Sequence, residues 1–137
     1  MPLLQQVLEQ YPNEVKVVAK NYPIRSHKFA RAAAVAALAA GEQGKYWEYH
    51  EKIFADYRNL SDQKFLDFAR ELGLDMEAFV ASLKDPKHQR AISKDVKDAS
   101  MVGVTGTPTI FINGIRLRNR SLDGFKAIID AELRKKR

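Results

Sequence analysis

The sequence predicts an α/β domain that contains an inserted block of helices. β-Prone segments occur near both ends of the chain, at Val15–Lys20 and Pro108–Leu117, and helical segments flank them. Between them, over about 27–102, apolar residues recur at helical spacing. No linker or internal repeat interrupts the 137 residues, so we predict one domain, 1–137, with the helices as an insertion.

The N-terminal segment predicts a helix followed by a strand. PLLQQVLEQ, residues 2–10, places its apolar side chains on one helical stripe, formed by Leu3, Leu4, Val7 and Leu8. Tyr11-Pro12-Asn13 ends this helix. The run Val15–Lys20, VKVVAK, then predicts a β-strand that ends before Asn21.

The middle of the chain predicts about five helices with recognisable ends. An alanine-rich helix covers Lys28–Ala40 and stops at Gly41. Ser61, Asp75 and Asp85 are good N-caps for the later helices, and Gly73 is a stop signal. The segment Lys45–Tyr57 carries aromatic and apolar residues that we predict to form core, namely Tyr46, Trp47, His50, Ile53, Phe54 and Tyr57. We interpret His50 there as packed rather than as a ligand or base.

The periodicity changes in the last third of the chain. Pro108–Ile112 predicts a strand, Asn113-Gly114 a hairpin turn, and Ile115–Leu117 a short returning strand. Ser121 then caps a final helix, whose buried side is formed by Phe125, Ile128, Ile129 and Leu133.

Composition excludes several classes of function. The longest apolar run, Ala32–Ala40, is far shorter than the roughly 18–20 residues of a membrane span. The first residues of the sequence lack the pattern of a signal peptide. Of the net charge of +6, most lies after Asn113, which we interpret as solvated cations rather than a nucleic-acid or membrane contact. The sequence has no cysteine, which excludes thiol catalysis and thiolate metal sites in this chain.

No other constellation of residues predicts chemistry. The three histidines, at positions 27, 50 and 88, have no metal-binding spacing. The six serines fall at predicted caps or exposed helix faces, and none lies in a G-x-S-x-G turn. We therefore predict no catalytic residue, no metal and no cofactor.

The motif GVTGTPTIFING, residues 103–114, resembles the cis-proline segment of DsbA-type thiol-disulfide oxidoreductases, a branch of the thioredoxin superfamily with a helical insertion. NYPIRSHKFARAAAVAALAAGEQGKYWEYHEKIF resembles the family's first insertion helices, and LDGFKAIIDAEL its last helix. The resemblance covers essentially the whole chain. It implies a thioredoxin-like fold and a cis peptide bond at Thr107–Pro108.

The same resemblance implies a substrate-binding loop. In the family the residue before the proline, here Thr107, pairs through its backbone with an extended substrate strand. Gly106, Thr107 and Pro108 are accordingly the predicted substrate-binding residues, and an extended peptide or protein is the predicted partner. Full-length members are expected in the periplasm or another extracytoplasmic compartment, and this sequence alone predicts no location for the chain.

The sequence departs from the family pattern at its start. The family has a first strand and then Cys-x-x-Cys at the beginning of a helix, and PLLQQVLEQYPNEVKVV resembles the family segment that comes after those cysteines. We therefore interpret the chain as truncated at its N-terminus, without the first, central strand. A gap in a sheet leaves backbone groups unpaired, so we predict that it is closed by strand re-pairing within the chain, by strand swapping with a second copy, or by edge-to-edge association in a homo-oligomer.

The residues and the resemblance together leave three hypotheses about function. The first is a truncated DsbA-family domain whose parent exchanges disulfides, while this chain, without redox cysteines, is not catalytic. The second is a peptide-binding or self-assembly module that accepts a partner strand. The third is a protein similar to kappa-class glutathione transferases or isomerases, which use serine in place of the thiol; the position for that serine is missing together with the cysteines.

Overall fold

The computed structural model describes residues 2–136, which form mostly helices and one short hairpin. In chain order the elements are α1 (Pro2–Gln10), α2 (Ala30–Gly41), α3 (Tyr46–Ala55), a 3₁₀ turn (Tyr57–Asn59), α4 (Asp62–Glu71), α5 (Met76–Leu83), α6 (Pro86–Met101), β1 (Phe111–Ile112), β2 (Ile115–Arg116) and α7 (Leu122–Lys135). The chain divides into two compact units. Met1–Ala19 and Gly106–Arg137 form the terminal unit, and Lys20–Thr105 forms the helical unit. Within residues 2–136 no helix is both long and apolar enough to cross a bilayer.

The terminal unit is built from α1, α7 and the hairpin. Its core consists of five buried side chains from these elements and the segments beside them, Val7, Tyr11, Leu117, Phe125 and Ile129. The predicted apolar stripe of α1 supplies Val7, while Leu3 and Leu4 pack at the edge of the same cluster. The Tyr11 hydroxyl donates a hydrogen bond of 2.6 Å to Asp130 Oδ1 on α7, which links the two ends of the chain. The clustered apolar side chains stabilise this unit by removal of their surface from water.

The hairpin follows the sequence prediction closely at its turn. β1 and β2 are antiparallel, with Phe111 opposite Arg116 and Ile112 opposite Ile115. Asn113 and Gly114 both have positive φ, 49° and 83°, as a two-residue hairpin turn that matches strand twist requires. The amide of Leu117 donates to the carbonyl of Ile110 at 2.8 Å, so the paired region extends one residue pair beyond the strands.

Helix α7 begins as predicted at Ser121, and the approach of the preceding chain explains a glycine in its first turn. The Ser121 hydroxyl accepts a hydrogen bond from the Gly124 amide at 3.1 Å, a standard N-cap. A Cβ atom at position 124 would overlap the carbonyl oxygen of Asn119 and lie 2.9 Å from its carbonyl carbon. Only glycine allows the backbone at Asn119 to pass so close to the helix.

The predicted strand at Val15–Lys20 is wrong. These residues follow a turn and have no regular secondary structure, and Val18 is 67% exposed. Within residues 2–136 the sheet consists of β1 and β2 alone. A strand requires ladder hydrogen bonds to a neighbour, so β propensity and alternation in VKVVAK do not produce one without a paired segment.

The predicted strand at Pro108–Ile112 is also shorter than expected, since β1 covers only Phe111–Ile112. The carbonyl groups of Gly106 and Pro108 accept hydrogen bonds from side chains instead of from a neighbouring strand. Regular pairing therefore starts after the proline.

The helical unit confirms the predicted caps. Ser61, Asp75 and Asp85 each accept a backbone hydrogen bond at the start of α4, α5 and α6. Gly73 follows α4 with φ 71°, as the stop signal predicted. Helix α2 extends through Gly41, however, and the left-handed glycine after it is Gly44, with φ 76°.

The core of the helical unit lies between α2, α3, α4 and α5. Alanines of α2 allow these helices to approach closely, and the large side chains that fill the space between them are Tyr49, Phe65, Phe68 and Phe79. The rings of Phe68 and Phe79 lie 5.8 Å from the ring of Tyr49, and the Tyr49 hydroxyl donates to the carbonyl of Phe65 at 2.8 Å. Burial raises the pKa of the Tyr49 hydroxyl well above its ordinary value.

The aromatic and apolar stripe predicted as core is only partly buried, since Ile53 is buried and Tyr46 packs against the core while three other members are exposed. Trp47, Phe54 and Tyr57 are 43%, 63% and 57% exposed, while Tyr49 is fully buried. Helix α3 thus presents to the core Ile53, which was predicted there, and Tyr49, which was not. His50 is half-buried among Tyr46, Trp47 and Phe54, in keeping with its interpretation as a packed histidine.

Candidate functional site

The three predicted site residues lie in a loop of the terminal unit that precedes β1. We call Gly106–Thr109 the docking loop. Thr107 and Pro108 are exposed and Gly106 is half-buried. The Thr107–Pro108 peptide bond is cis. The structure therefore places these residues on the surface, and their role in binding stays a prediction.

Side chains hold the docking loop at two of its carbonyl groups. The Thr109 hydroxyl donates to the carbonyl oxygen of Gly106 at 2.7 Å, which closes the loop locally. Arg120, from the segment that returns beside β1, donates from Nη1 to the carbonyl oxygen of Pro108 at 3.2 Å. Proline has no amide hydrogen to donate. The loop is thus fixed from both sides.

The backbone of Thr107 is the part of the loop that these contacts leave open. Within residues 2–136 its amide and its carbonyl make no hydrogen bond. Both neighbours, Gly106 and Pro108, have their carbonyl groups occupied. An exposed residue with a free donor and a free acceptor can pair with an extended chain in the way that strands pair.

Three arginines lie along the partner segment of the hairpin. Arg116, Arg118 and Arg120 occupy every second position and are exposed, whereas the intervening Leu117 is buried. None of the three forms an ion pair with an acid in the part of the chain that the structure describes. The spacing of the three arginines is visible in the sequence. The sequence predicts these cations to be solvated, and it does not predict that one of them contacts the docking loop. The contact of Arg120 depends on the hairpin register, which the sequence alone does not show.

A second polar cluster lies in the helical unit, and the sequence does not predict it. Ser82, predicted on an exposed face or at a cap, is buried, as is His88. The Ser82 hydroxyl donates to Glu42 Oε2 at 3.0 Å and lies 2.8 Å from His88 Nε2. Lys87 Nζ pairs with the other oxygen of Glu42. These contacts join the end of α2 to α5 and α6.

This cluster does not have the arrangement of a catalytic triad. In a triad the serine gives its hydrogen bond to the imidazole, and the carboxylate binds the other ring nitrogen. Here the hydroxyl of Ser82 donates to Glu42, so His88 Nε2 must carry the hydrogen that it shares with Ser82. His88 Nε2 also lies 3.3 Å from Glu42, on the same side of the ring. The cluster therefore joins helices and does not activate the serine.

The electrostatics of the cluster agree with that structural role. Hydrogen bonds from Lys87 and then from Ser82 hold the pKa of the Glu42 carboxyl below its usual range, and partial burial opposes them weakly. Within residues 2–136 no group of three or more histidine, cysteine or acidic side chains is arranged to hold a metal ion.

The fold defines the class of protein. The structure resembles the crystal structure of a thiol-disulfide exchange protein, alpha-DsbA2 from Wolbachia pipientis, with a TM-score of 0.79, over 95% of this chain and 71% of that one. The sequence identity of 23% supports the shared fold and nothing finer. The protein thus has a thioredoxin-like fold with a helical insert.

The family is shown by the sequence. The family model for the DSBA-like thioredoxin domain matches residues 2–130, and the chain belongs to that family. This result and the structural similarity confirm the resemblance that the motif GVTGTPTIFING indicates.

Curated relatives match over most of this chain but only over a small part of themselves. A Na(+)/H(+) antiporter NhaA 1 from Salinispora arenicola is 36% identical over 116 residues, which are 84% of this chain and 18% of the antiporter. An NhaA from Herminiimonas arsenicoxydans is 32% identical, over 79% of this chain and 17% of its own length. The chain therefore spans about a fifth of the length of these relatives. The similarity is therefore limited to one short segment of each antiporter.

Proposed function

We propose that this chain is a DsbA-family module that binds an extended polypeptide segment through the backbone of Thr107. In this proposal the amide and carbonyl of Thr107 pair with one residue of the bound segment, and the binding needs no side-chain chemistry of Thr107. This is the substrate-docking half of the family's activity without its redox half.

One observation carries the proposal. In the docking loop the carbonyl groups of Gly106 and Pro108 are occupied, while Thr107 is an exposed residue whose backbone amide and carbonyl have no partner within residues 2–136. Main-chain hydrogen bonds to an exposed edge supply affinity with little dependence on sequence. The loop is held by Thr109 and Arg120, so little ordering entropy opposes binding.

The absence of cysteine supports the proposal that this chain lacks the redox activity of the family. Disulfide exchange requires a thiolate that attacks a disulfide sulfur and forms a mixed disulfide. This chain has no thiol, so it cannot supply the nucleophile. We therefore propose that it docks polypeptide and leaves disulfide bonds unchanged.

Peptide binding tests the proposal. A fluorescein-labelled extended peptide should bind the wild-type chain with micromolar affinity in an anisotropy titration. Thr107→Pro removes the amide donor and should weaken binding at least about tenfold. The matched control Thr107→Val retains the amide and loses only the hydroxyl, so it should bind as the wild type does.

Two results would contradict the proposal. One is equal binding by the wild type and Thr107→Pro, provided that both show the same thermal unfolding. The other is turnover by the pure chain in an insulin-reduction assay, which would contradict the absence of redox activity.

A second candidate function is self-association at the hairpin. Phe111 and Ile115 are 40% and 41% exposed, and no third strand within residues 2–136 pairs with β1 or β2. Unpaired edges with apolar side chains favour pairing between copies. Light scattering after size exclusion should then give a dimer, which Phe111→Lys should convert to a monomer. A wild-type monomer with cooperative unfolding would contradict this candidate.

A further inference from the structure

Three arginines occupy alternate positions along the returning segment of the hairpin, and the last of them contacts the docking loop. We call Arg116, Arg118 and Arg120 the arginine row. Phe111 pairs with Arg116, and the hydrogen bond between Leu117 and Ile110 continues the same register. The hydrogen bond from Arg120 Nη1 to the carbonyl oxygen of Pro108 places the guanidinium of Arg120 against the docking loop.

Two members of the arginine row, Arg116 and Arg118, lie on the face of the hairpin away from the core of the terminal unit. Successive residues of an extended chain point to opposite faces. Leu117 is 5% exposed and belongs to the core, so the residues on either side of it, Arg116 and Arg118, point outward. Their spacing of two residues corresponds to about 6.6 Å along an extended chain. Alternate side chains of a bound extended peptide have the same spacing.

The charges of the row are not neutralised locally. None of its guanidinium groups is ion-paired within residues 2–136. The terminal unit has nine Lys and Arg residues against five acids, so its wider field is also positive. Arg120 uses one of its five N–H groups on Pro108 and keeps the others for a second acceptor. A guanidinium binds a carboxylate with two parallel hydrogen bonds.

We propose that the arginine row makes the docking loop selective for acidic extended polypeptides. This inference rests on the proposed function, because it names the class of segment that the Thr107 backbone binds. The partner carries aspartate or glutamate at alternate positions. Arg120 binds the carboxylate nearest the loop, and Arg118 and Arg116 bind the next ones.

Paired peptides test the inference. The probe is a fluorescein-labelled seven-residue peptide with aspartate at its second, fourth and sixth positions, and its match carries asparagine there. The wild-type chain should bind the acidic peptide about three- to tenfold more tightly at low salt, and the ratio should fall as ionic strength rises. The triple variant Arg116→Gln, Arg118→Gln, Arg120→Gln should bind both peptides equally.

A charge-matched control separates the row from the general field. Arg134 is exposed in the last turn of α7. Arg134→Gln should keep the preference for the acidic peptide, whereas Arg120→Gln alone should lose most of it. An equal loss in both single variants would mean a diffuse electrostatic effect and would overturn the inference.

The remaining outcomes separate this inference from the proposed function. If the wild type binds both peptides equally and Thr107→Pro weakens both, the docking function stands and the acidic preference is wrong. If neither peptide binds, the proposed function fails and the inference fails with it. If a labelled oligothymidine of similar length competes with the acidic peptide and binds independently of Thr107→Pro, the row binds nucleic acid, and the inference is overturned.

Discussion

The helical unit and the terminal unit differ in whether their polar groups have hydrogen-bond partners. In the helical unit, Ser82 and His88 are buried and bound to each other and to Glu42. In the terminal unit, Thr107 is exposed and its backbone has no hydrogen-bond partner within residues 2–136, and Arg120, which contacts the same loop, has no acid to pair with there. Polar groups that are mutually satisfied stabilise a fold, whereas exposed unsatisfied ones are available to a ligand. The difference assigns the candidate function to the terminal unit.

The largest expected effect concerns the core of the helical unit. Phe79 is fully buried against Tyr49, so Phe79→Ala should lower the free energy of unfolding by about 3–5 kcal/mol. Phe54 is 63% exposed, and Phe54→Ala should change the free energy of unfolding by less than about 0.5 kcal/mol. Urea titrations followed by circular dichroism measure both. A similar loss in both variants would mean that the exposed stripe of α3 is part of a core.

The next effect concerns close packing in the terminal unit. Gly124→Ala would place a methyl group against the backbone of Asn119 and should cost about 1–3 kcal/mol of unfolding free energy. Gly106→Ala is the matched control, since no atom lies within 4 Å of the added Cβ. We expect equal or slightly higher stability for that variant. Thermal unfolding of the two variants compares them directly, and an unchanged midpoint for Gly124→Ala would contradict the packing described here.

A smaller effect on stability should appear at alkaline pH and concerns Tyr11. The hydrogen bond to Asp130, together with burial and the nearby negative charges, raises the pKa of Tyr11 to about 12. A raised pKa means that the folded state holds this proton more tightly than the unfolded state, whose pKa is near 10. The contribution of Tyr11 to stability is therefore complete below pH 10 and falls as the pH rises from 10 to 12.

Tyr11→Phe should remove that contribution. At neutral pH it should cost about 1 kcal/mol of unfolding free energy for the lost hydrogen bond. Between pH 10 and 12 the difference between the variant and the wild type should shrink. Tyr57→Phe, which removes the hydroxyl of an exposed tyrosine in the helical unit, serves as the control for the alkaline range. A difference between wild type and Tyr11→Phe that stays constant through pH 12 would contradict this assignment.

The smallest effect concerns the polar cluster of the helical unit at acid pH. The pKa of Glu42 is lowered, so its contribution to stability is present above the ordinary value of 4.5 and is lost as the pH falls through the folded value. Glu42→Gln should therefore lower the unfolding midpoint slightly at pH 7 and should flatten its fall below pH 4.5. Glu48→Gln is the matched control at an exposed position. An equal response in both variants would contradict a contribution of the Glu42 contacts to stability.

Local signals accounted for much of the fold. Ser61, Asp75, Asp85 and Ser121 were predicted as caps, and Asn113-Gly114 as a turn, because each depends on neighbours within a few residues. The strand at Val15–Lys20 failed because pairing depends on another segment, which propensity does not report.

The candidate site was predicted in part. The position of Thr107 and Pro108 was predicted from a family motif. The contact of Arg120 with Pro108 and the burial of Ser82 beside His88 required the tertiary structure, since each joins residues from different elements. Helix α3 shows the same limit. Both faces of YWEYHEKIF carry aromatic residues, and only packing selects Tyr49 for the core.

Hydrogen exchange at the Thr107 amide tests docking through this backbone most directly. In the free chain this amide has no hydrogen-bond partner within residues 2–136 and should exchange rapidly. With the acidic peptide at saturation, its exchange should slow at least about tenfold, because the amide now pairs with the peptide backbone. The amide of Leu117, already bonded to Ile110, should change little. Unchanged rapid exchange at Thr107 in the saturated complex would contradict docking through its backbone.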